Sequence, residues 1–398
     1  MTALTGVPRA DGRKGVRNVL VVAYLVECAH HVARAVAARF PEREVHVIGF
    51  PGCFPNAYAQ RMMEALCTHP NVGAACLVSL GCESFDKRRL AEAVAASGRP
   101  VETVVIQGVG GTRRAVEAGA AFVSEHLPAL ETAERVPMEV SELVVGTVCG
   151  GSDGTSGITG NPAAGLAFDR LVAEGAACLF EETGELIGCE AEMARRAVTP
   201  ELGAAIRESV DKAARYYATL GYGSFAAGNA EGGLSTIEEK SLGAYAKSGA
   251  SPISGLLKPG DRPPRGGLYL LDVVPDGEVR FGFPNINDNA EIAELMACGA
   301  HLTFFVTGRG SVVGSAISPV LKICANPETY ARMAEDMDVN AGRVLRGAPL
   351  AEVGDEIHRL TLETAAGRPT ASEALGHREF IMTYKTFEPL GPACLPAA

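Results

Sequence analysis

The sequence has no apolar run that approaches the roughly 20 residues a transmembrane helix needs. Residues 1–18 are polar and basic, and they contain no apolar core of the kind that defines a secretory signal. There is no excess of basic residues either, since the formal net charge is −11, and a nucleic-acid-binding face requires the opposite sign. These absences predict a cytoplasmic protein that binds neither membranes nor nucleic acids, although a local basic site for a small anion remains compatible with them.

Several familiar catalytic and metal-binding signatures are also missing. The chain has no CxxC pair, no HExxH motif, no Walker loop and no Ser/His/Asp order typical of a hydrolase. It does have 11 cysteines, an odd number that argues against a disulfide framework in a reducing compartment. Metal binding, catalysis or plain core packing remain as explanations for the thiols.

Apolar segments alternate with amphipathic helical patterns over most of the 398 residues. Strands are predicted at Val19–Val26, Val45–Phe50, Ala74–Leu80 and Leu143–Val148, and further strands follow, among them Ala177–Phe180 and Leu302–Val306. Strands separated by helices of this length are typical of βαβ units and parallel sheets. We therefore predict an α/β fold with two Rossmann-like, doubly wound parallel-sheet domains, residues 1–137 and 138–398. The Pro- and Gly-rich stretch between Ser248 and Gly267 is interpreted as a long surface crossing.

Four cysteines follow predicted strands and stand beside glycine or a charged residue: Cys28, Cys53, Cys82 and Cys149. Ligands collect at the carboxyl ends of parallel strands, so these thiols could converge on a soft metal or an iron–sulfur centre. The alternative for any single cysteine is ordinary core packing. That interpretation is kept for Cys67, Cys76, Cys178, Cys298, Cys324 and Cys394.

The densest group of glycines, residues 149–162, follows a predicted strand and opens a helix. Backbone N–H groups at such a turn bind carboxylate or phosphate. Its polar members are candidate substrate ligands: Ser152, Asp153, Thr155 and Ser156. The alternative is a tight strand-to-helix turn without a ligand.

Two further segments carry candidate functional residues. In residues 228–243, Asn229 precedes a glycine pair and Lys240 lies one turn into a helix, where a lowered pKa would let it act as a base. Helix capping by Ser235 and Thr236 explains part of this segment, and a solvated lysine is the alternative for Lys240. Arg309, between Gly308 and Gly310 after a predicted strand, suits bidentate carboxylate recognition.

These segments resemble the altronate/galactarate dehydratase family of lyases, which includes the large subunit of sulfolactate sulfo-lyase. The resemblance extends from Arg9 to beyond Gly342. Its matching segments are residues 11–18, 80–83, 149–162, 228–243, 307–310 and 336–342.

The resemblance implies a lyase that eliminates water from a 2,3-dihydroxy (sugar) acid and yields a 2-keto-3-deoxy acid. It also implies a divalent metal, commonly iron, as Fe²⁺ or an iron–sulfur cluster, with Mn²⁺ or Mg²⁺ as alternatives. On this interpretation the thiolates of Cys82, Cys149, Cys53 and Cys28 hold the metal and Lys240 or Glu239 moves the proton. The carboxylate would be held by Arg309 with Ser152, Asp153, Thr155, Ser156, Asn229, Gly308 and Arg17.

Longer members of the family carry an N-terminal SAF domain before the Asp11-Gly12-Arg13 motif, so a separate small SAF-domain subunit and a hetero-oligomer are expected. The nearest alternative function is a carbon–sulfur lyase that releases sulfite from sulfolactate. Two remoter alternatives are an NAD-dependent oxidoreductase, suggested by the weak glycine pattern at residues 108–111, and a non-catalytic subunit with a structural metal centre.

Overall fold

The structure is a computed structural model that describes residues 4–219, 225–274, 276, 287–383 and 385. Within these residues, strands and helices alternate along most of the chain. The strands are β1 (Thr5–Pro8), β2 (Lys14–Gly15), β3 (Val19–Tyr24), β4 (Val45–Gly49), β5 (Val72–Ser79), β6 (Val101–Val105), β7 (Val136–Pro137), β8 (Val144–Cys149), β9 (Ala177–Phe180), β10 (Ile253–Leu257), β11 (Gly267–Leu271), β12 (Leu302–Thr307), β13 (Val320–Cys324) and β14 (Val339–Asn340). The helices are α1 (Glu27–Ala37), α2 (Ala57–Cys67), α3 (Lys87–Ala96), α4 (Ile106–Val109), α5 (Thr112–Glu131), α6 (Gly160–Ala173), α7 (Glu190–Arg196), α8 (Pro200–Thr219), α9 (Ala227–Glu231), α10 (Ile237–Tyr245), α11 (Asp288–Ala297), α12 (Pro327–Arg332), α13 (Leu350–Ala365) and α14 (Ala371–Ala374).

The first sheet is parallel, with the strand order β4-β3-β5-β6. Every residue of β3 and β5 is buried, because helices cover both faces of the sheet: α1 and α5 on one, α2 and α3 on the other. Strands that are covered on both faces have continuous apolar sequences, and this pattern is why β3 and β5 could be predicted from the sequence.

The second sheet is also parallel and has the order β10-β11-β9-β8-β12-β13-β14. The chain starts this sheet at β8, adds strands on one side and then returns to add β12 on the other. Ligand sites of open α/β sheets lie at such a switch point, outside the carboxyl ends of the strands. The predicted α/β class with parallel sheets is confirmed, and the two sheets lie on opposite sides of residue 137 in the sequence.

Two local predictions need correction. The stretch between Ser248 and Gly267 is not only a surface crossing, because β10 lies within it and pairs with β11 at the edge of the second sheet. Its prolines flank the strand, whereas Gly255 lies inside it, where the pairing register with β11 shifts. The small antiparallel sheet β2-β1-β7 was not predicted, because its strands are only two to four residues long.

A buried junction joins the two sheets at the amino ends of their strands. Asn71 Nδ2 donates hydrogen bonds to the carbonyls of His301 (3.1 Å) and Ile317 (3.3 Å), and His69 Nε2 lies 3.1 Å from the Ala300 carbonyl. Helices α2 and α11 also pack together, so one hydrophobic core contains residues of both sheets. In the described ranges, no helix is both long and apolar enough to span a membrane.

Candidate active site at the carboxyl edge of the second sheet

The loops that follow β8 and β12 are joined by backbone hydrogen bonds. Gly150 N donates to the Val306 carbonyl (3.1 Å), and the N–H groups of Gly308 and Arg309 both donate to the Gly151 carbonyl, at 3.2 and 2.9 Å. Gly151 has a φ of +64°, a conformation that favours glycine. The glycine loop, residues 149–162, therefore lies at the switch point together with the Thr307–Gly310 segment.

Asp153 holds the glycine loop in shape. Its Oδ1 accepts hydrogen bonds from Thr155 N (2.9 Å) and Thr155 Oγ1 (2.6 Å), and its Oδ2 accepts one from Asn326 Nδ2 (3.0 Å). A Cβ atom at Gly308 would lie 2.1 Å from Asp153 Oδ1, so only glycine fits there. Asp153 and Gly308 thus serve the packing of the two loops, rather than presenting free groups to a ligand.

The third predicted segment joins the same site. Asn229 Nδ2 donates to the Ser152 carbonyl at 3.0 Å, and Arg309 Nη1 donates to the Gly228 carbonyl at 3.0 Å. Arg309 also forms an ion pair with Glu231 at 3.2 Å. The structure therefore brings together the three segments that the sequence singled out, although Arg309 already has partners from this chain.

A cavity of about 260 Å³ opens between the glycine loop and α10. It contains several of the predicted ligands and both predicted proton carriers, and apolar side chains complete its wall. Its lining residues are Ser152, Asp153, Gly154, Ser156, Gly157, Ile158, Asn161, Leu234, Glu239, Lys240, Leu242 and Gly243. A volume of this size suits a small polar acid.

Beside this cavity, Cys149 lies against two carboxylates. Its Sγ is 3.0 Å from Glu182 Oε2 and 3.2 Å from Glu185 Oε2, and its backbone N–H donates to Glu182 Oε1 at 2.9 Å. One candidate ligand atom from each of the three residues lies within 4.8 Å of the others. Cys149 is only 3% exposed, and burial raises the pKa of its thiol to about 11.

Two lysines neutralise part of this charge. Lys247, fully buried, forms an ion pair with Glu182 and donates to Cys149 Sγ at 3.3 Å. Lys240 forms an ion pair with Glu185. Burial alone would lower the pKa of Lys240, but the attraction of Glu185 outweighs it and raises that pKa above its ordinary value. The expectation of a lowered pKa at Lys240 is therefore wrong, because its partner comes from a segment far away in the sequence.

Further carboxyl groups lie next to Cys149, Glu182 and Glu185. Helix α11 contributes the partly buried Asp288 and the buried Glu291 and Glu294, and β9 is followed directly by the buried Glu181. Burial, reinforced by neighbouring carboxylates, raises the pKa of Asp288 to about 6 and those of Glu181 and Glu291 well above the ordinary range. Glu294 is paired with Lys385 at 2.6 Å, whereas neither carboxylate oxygen of Glu181 has a hydrogen-bond partner. We call Glu181, Glu182, Glu185, Asp288, Glu291 and Glu294 the acidic cluster.

The sequence analysis missed these acids. The signal was present in Glu181-Glu182-Thr183-Gly184-Glu185, which follows a correctly predicted strand at its carboxyl end. Glu182 adopts a φ of +77°, which is uncommon for a residue with a side chain and costs on the order of 1–3 kcal/mol. Such strain is concentrated at functional sites, and here it places the Glu182 carboxylate between Cys149 and Lys247.

The other three predicted metal ligands lie at the carboxyl edge of the first sheet. Cys28, Cys53 and Cys82 are exposed there, and backbone hydrogen bonds from Glu27 N to the Pro51 carbonyl and from Ser84 N to the Cys53 carbonyl join their loops. Among the residues described, the group of metal-ligand atoms that the structure brings together contains Cys149 and none of these three. The reason is topological, because β8 belongs to a different sheet from β3, β4 and β5.

Two more predicted residues have specific placements. Glu239 is exposed and accepts hydrogen bonds from Ser235 N (2.7 Å) and Ser235 Oγ (2.5 Å), so it stabilises the start of α10 as well as lining the cavity. Arg17 is not brought to the site. Its guanidinium pairs with Glu373 at 2.7 Å and donates to the carbonyls of Thr364 and Arg368, which ties the N-terminal segment to the C-terminal helices. Five of the six cysteines assigned to core packing are indeed buried; Cys394 lies outside the described residues.

Comparisons with known proteins cover nearly the whole chain. Residues 6–131 match the second domain of D-galactarate dehydratase/altronate hydrolase, and residues 140–387 match the C-terminal domain of D-galactarate/altronate dehydratase. The chain is 34% identical to the (2R)-sulfolactate sulfo-lyase subunit beta of Chromohalobacter salexigens, over 95% of this chain and 96% of that protein.

Two dehydratases of Escherichia coli are similar over most of the chain. Galactarate dehydratase (L-threo-forming) is 32% identical over 91% of this chain and 72% of its own length, and altronate dehydratase is 29% identical over 93% and 75%. The predictions of the family and of an enzyme of the hydro-lyase type are confirmed by these matches. The chain therefore belongs to the D-galactarate/altronate dehydratase family of lyases.

Proposed function

We propose that this protein is a metal-dependent lyase that eliminates water from a 2,3-dihydroxy sugar acid and forms a 2-keto-3-deoxy acid. One observation carries the proposal: the cavity of about 260 Å³ lies between the glycine loop and Lys240, whose ion-pair partner Glu185 belongs to the Cys149/Glu182/Glu185 group. A glycine-rich turn suited to an anion, a buried cation and three residues that could hold a metal lie side by side there, which supports the proposal.

The residues present fit a divalent metal. The acidic cluster contains six carboxyl groups, and the ion pairs described above supply a lysine to three of them: Lys247 to Glu182, Lys240 to Glu185 and Lys385 to Glu294. Burial, together with repulsion between neighbouring carboxylates, raises the pKa values of the remaining carboxyl groups, and a bound cation would offset that repulsion.

Cys149, Glu182 and Glu185 would hold the metal, and a thiolate with two carboxylates suits Fe²⁺, with Mn²⁺ as an alternative. When bound, a divalent metal supplies Lewis-acid stabilisation of the negative charge that develops on the substrate. An iron–sulfur cluster on the exposed cysteines of the first sheet remains the alternative form of iron. The two arrangements differ in which residues are needed to retain metal.

Residues of the chain itself bind the substrate and transfer the protons. Backbone N–H groups of the glycine loop and the hydroxyls of Ser152 and Ser156 orient the substrate carboxylate in the cavity. Glu239, whose carboxylate lines the cavity, accepts the α-proton. Lys240, held as a cation by Glu185, stabilises the negative charge that then develops, and its Nζ donates the proton with which the departing hydroxyl leaves as water. Arg309 positions the 228–231 segment through Gly228 and Glu231.

The test is an activity assay on protein purified without oxygen and supplied with Fe²⁺. Altronate and galactarate should yield 2-keto acids, and Lys240→Met should lower kcat by a factor on the order of 10² or more, the scale of general acid–base catalysis. Lys87→Met, at the start of α3 beside the first sheet, is the matched control and should retain activity. A panel of sugar acids that yields no keto acid would contradict the dehydratase assignment.

A second candidate function is carbon–sulfur cleavage of sulfolactate, because the sulfo-lyase subunit named above is matched over nearly its full length. The same site would stabilise the same α-carbanion, and sulfite would leave in place of hydroxide. Release of sulfite and pyruvate from sulfolactate, without keto acid from sugar acids, would decide for it.

We also propose a small SAF-domain subunit as partner, in line with the word "subunit" in the name of that relative. Co-expression with candidate SAF-domain chains, followed by size-exclusion chromatography and assay, tests this part. A co-purifying small chain that raises kcat supports it, and full activity of this chain alone contradicts it.

A further inference from the structure

A second cleft lies at the opposite ends of the strands. Its volume is about 320 Å³, and the first residues of β8 and β9, Val144 and Ala177, form part of its floor. The hairpin turn between β1 and β2 lines one side, and residues 262–266 line the other. The cleft is therefore separated from the candidate active site by the length of the second sheet.

The charge of this cleft contrasts with that of the whole protein, whose formal net charge is −11. Four cationic residues line it: Arg13, Lys14, Arg262 and Arg265. The carboxylate that faces them, Glu142, is paired with Lys14 at 2.8 Å. The arginines are left with an excess of positive charge, and we refer to this site as the basic cleft.

The guanidinium groups of the basic cleft are incompletely satisfied. In the described ranges of the chain, the side chains of Arg262 and Arg265 have no ion pair and no hydrogen bond. Arg13 uses Nη2 to bond Asp11 and the Thr68 carbonyl, each at 2.6 Å, but its Nε is buried without a partner. A buried donor without an acceptor costs free energy, and it adds to the unbalanced positive charge of the cleft.

More positive charge lies directly behind the lining. Arg9 and Arg99 are held by backbone carbonyls, and Asp11 pairs with Arg99 at 3.3 Å as well as with Arg13. Burial and repulsion between these guanidinium groups lower the pKa of Arg9 to about 9. Burial and repulsion from Arg13 likewise lower the pKa of Arg262. The fold thus keeps several like charges close together, and Asp11 offsets only part of the repulsion between them.

We propose that the basic cleft binds a small, multiply charged oxyanion, a phosphate ester or a polycarboxylate, as an effector distinct from the substrate. Guanidinium groups bind both kinds of oxyanion through paired N–H donors. Such a ligand would bridge Arg13, on the N-terminal hairpin, to Arg262 and Arg265, on the segment between β10 and β11. Because these segments belong to different parts of the chain, binding stabilises the native state.

Isothermal titration and thermal unfolding with pyrophosphate and with tricarballylate test the proposal, at ionic strength matched with sodium chloride. We expect one equivalent of at least one anion to bind and to raise Tm; the anion that binds identifies the phosphate or the carboxylate source. Arg262→Gln/Arg265→Gln should weaken the affinity at least tenfold. Arg88→Gln, which alters an exposed arginine on α3, should leave it unchanged.

Two results would overturn the proposal. One is the absence of binding by both anions; the other is equal affinity in the wild type and the Arg262→Gln/Arg265→Gln variant. Lys240→Met separates the two sites of the molecule. If binding survives Lys240→Met but not the double arginine substitution, the anion binds in the basic cleft. If binding survives the double arginine substitution but not Lys240→Met, the anion binds in the active-site cavity, and the inference is contradicted. Both conclusions hold whatever the activity assay shows.

Discussion

The carboxyl edges of the two parallel sheets both carry cysteine thiols at strand ends, but the surroundings of those thiols differ. The edge of the first sheet carries three exposed thiols, Cys28, Cys53 and Cys82. At the edge of the second sheet, the buried thiol of Cys149 is surrounded by the acidic cluster and its lysines. We call the two edges the cysteine edge and the acidic edge. Position at a strand end is therefore not sufficient to identify a site, and burial with charge compensation is what distinguishes the acidic edge.

The largest effect is expected from breaking the buried pair at the acidic edge. Lys247 is 0% and Glu182 2% exposed at the side chain, so Lys247→Met leaves a buried carboxylate without its cation. Loss of one partner of a buried pair costs about 3–5 kcal/mol. Urea unfolding of the chelator-treated protein should show this loss, and Glu182→Gln/Lys247→Met should recover most of it.

The matched control lies beside the cysteine edge. Arg88 and Glu92 form an exposed pair on α3, with side chains 88% and 68% exposed, and such pairs contribute about 0–1 kcal/mol. Arg88→Met should therefore shift the urea midpoint very little. Equal shifts for Arg88→Met and Lys247→Met would remove the contrast between the two edges.

A smaller effect concerns the junction that holds the two sheets together. His301 accepts a hydrogen bond from Val144 N at 3.0 Å and lies 2.9 Å from the Lys14 carbonyl. Burial lowers its pKa from 6.5 to about 4, so the unfolded chain takes up a proton before the native state does. Above pH 6.5, His301 does not lower the free energy of unfolding. As the pH falls from 6.5 towards 4, the free energy of unfolding decreases by about 1.4 kcal/mol per pH unit, or about 3 kcal/mol in total.

Unfolding free energies measured between pH 7 and pH 4 check this expectation. His301→Asn should show a shallower decline than the wild type over that range. His31→Asn, an exposed histidine on α1, should follow the wild type. If the unfolding free energies of the wild type and of His301→Asn decline in parallel, protonation of His301 does not contribute to the pH dependence of stability.

The smallest effect on catalysis is expected at Arg17. Its guanidinium is engaged by Glu373 and by backbone carbonyls far from the cavity. Arg17→Gln should lower stability by about 1–3 kcal/mol, the scale of a lost charged hydrogen bond, and leave KM unchanged. A raised KM at unchanged Tm would restore the sequence-based assignment of Arg17 to the substrate.

Much of this arrangement follows from local sequence patterns. The buried strands and the three loop segments of the site were found because apolar runs and clustered glycines report on strand ends and turns. Glu182 and Glu185 were missed because acidic residues after a strand look the same whether solvated or buried. The raised pKa of Lys240 depends on Glu185, which reaches it only through the fold. Cys149 was grouped with the other cysteines although its strand was assigned to the second predicted domain, because the sequence does not show which strand ends the fold brings together.

The most direct test of the account is the metal content of two variants purified without oxygen and reconstituted with Fe²⁺. Glu182→Gln/Glu185→Gln alters the acidic edge, and Cys28→Ser/Cys53→Ser/Cys82→Ser alters the cysteine edge. We predict that the first variant loses the tightly bound metal together with activity, and that the second retains both. Retention of metal by the first variant and its loss from the second would contradict the account and would place the metal at the cysteine edge.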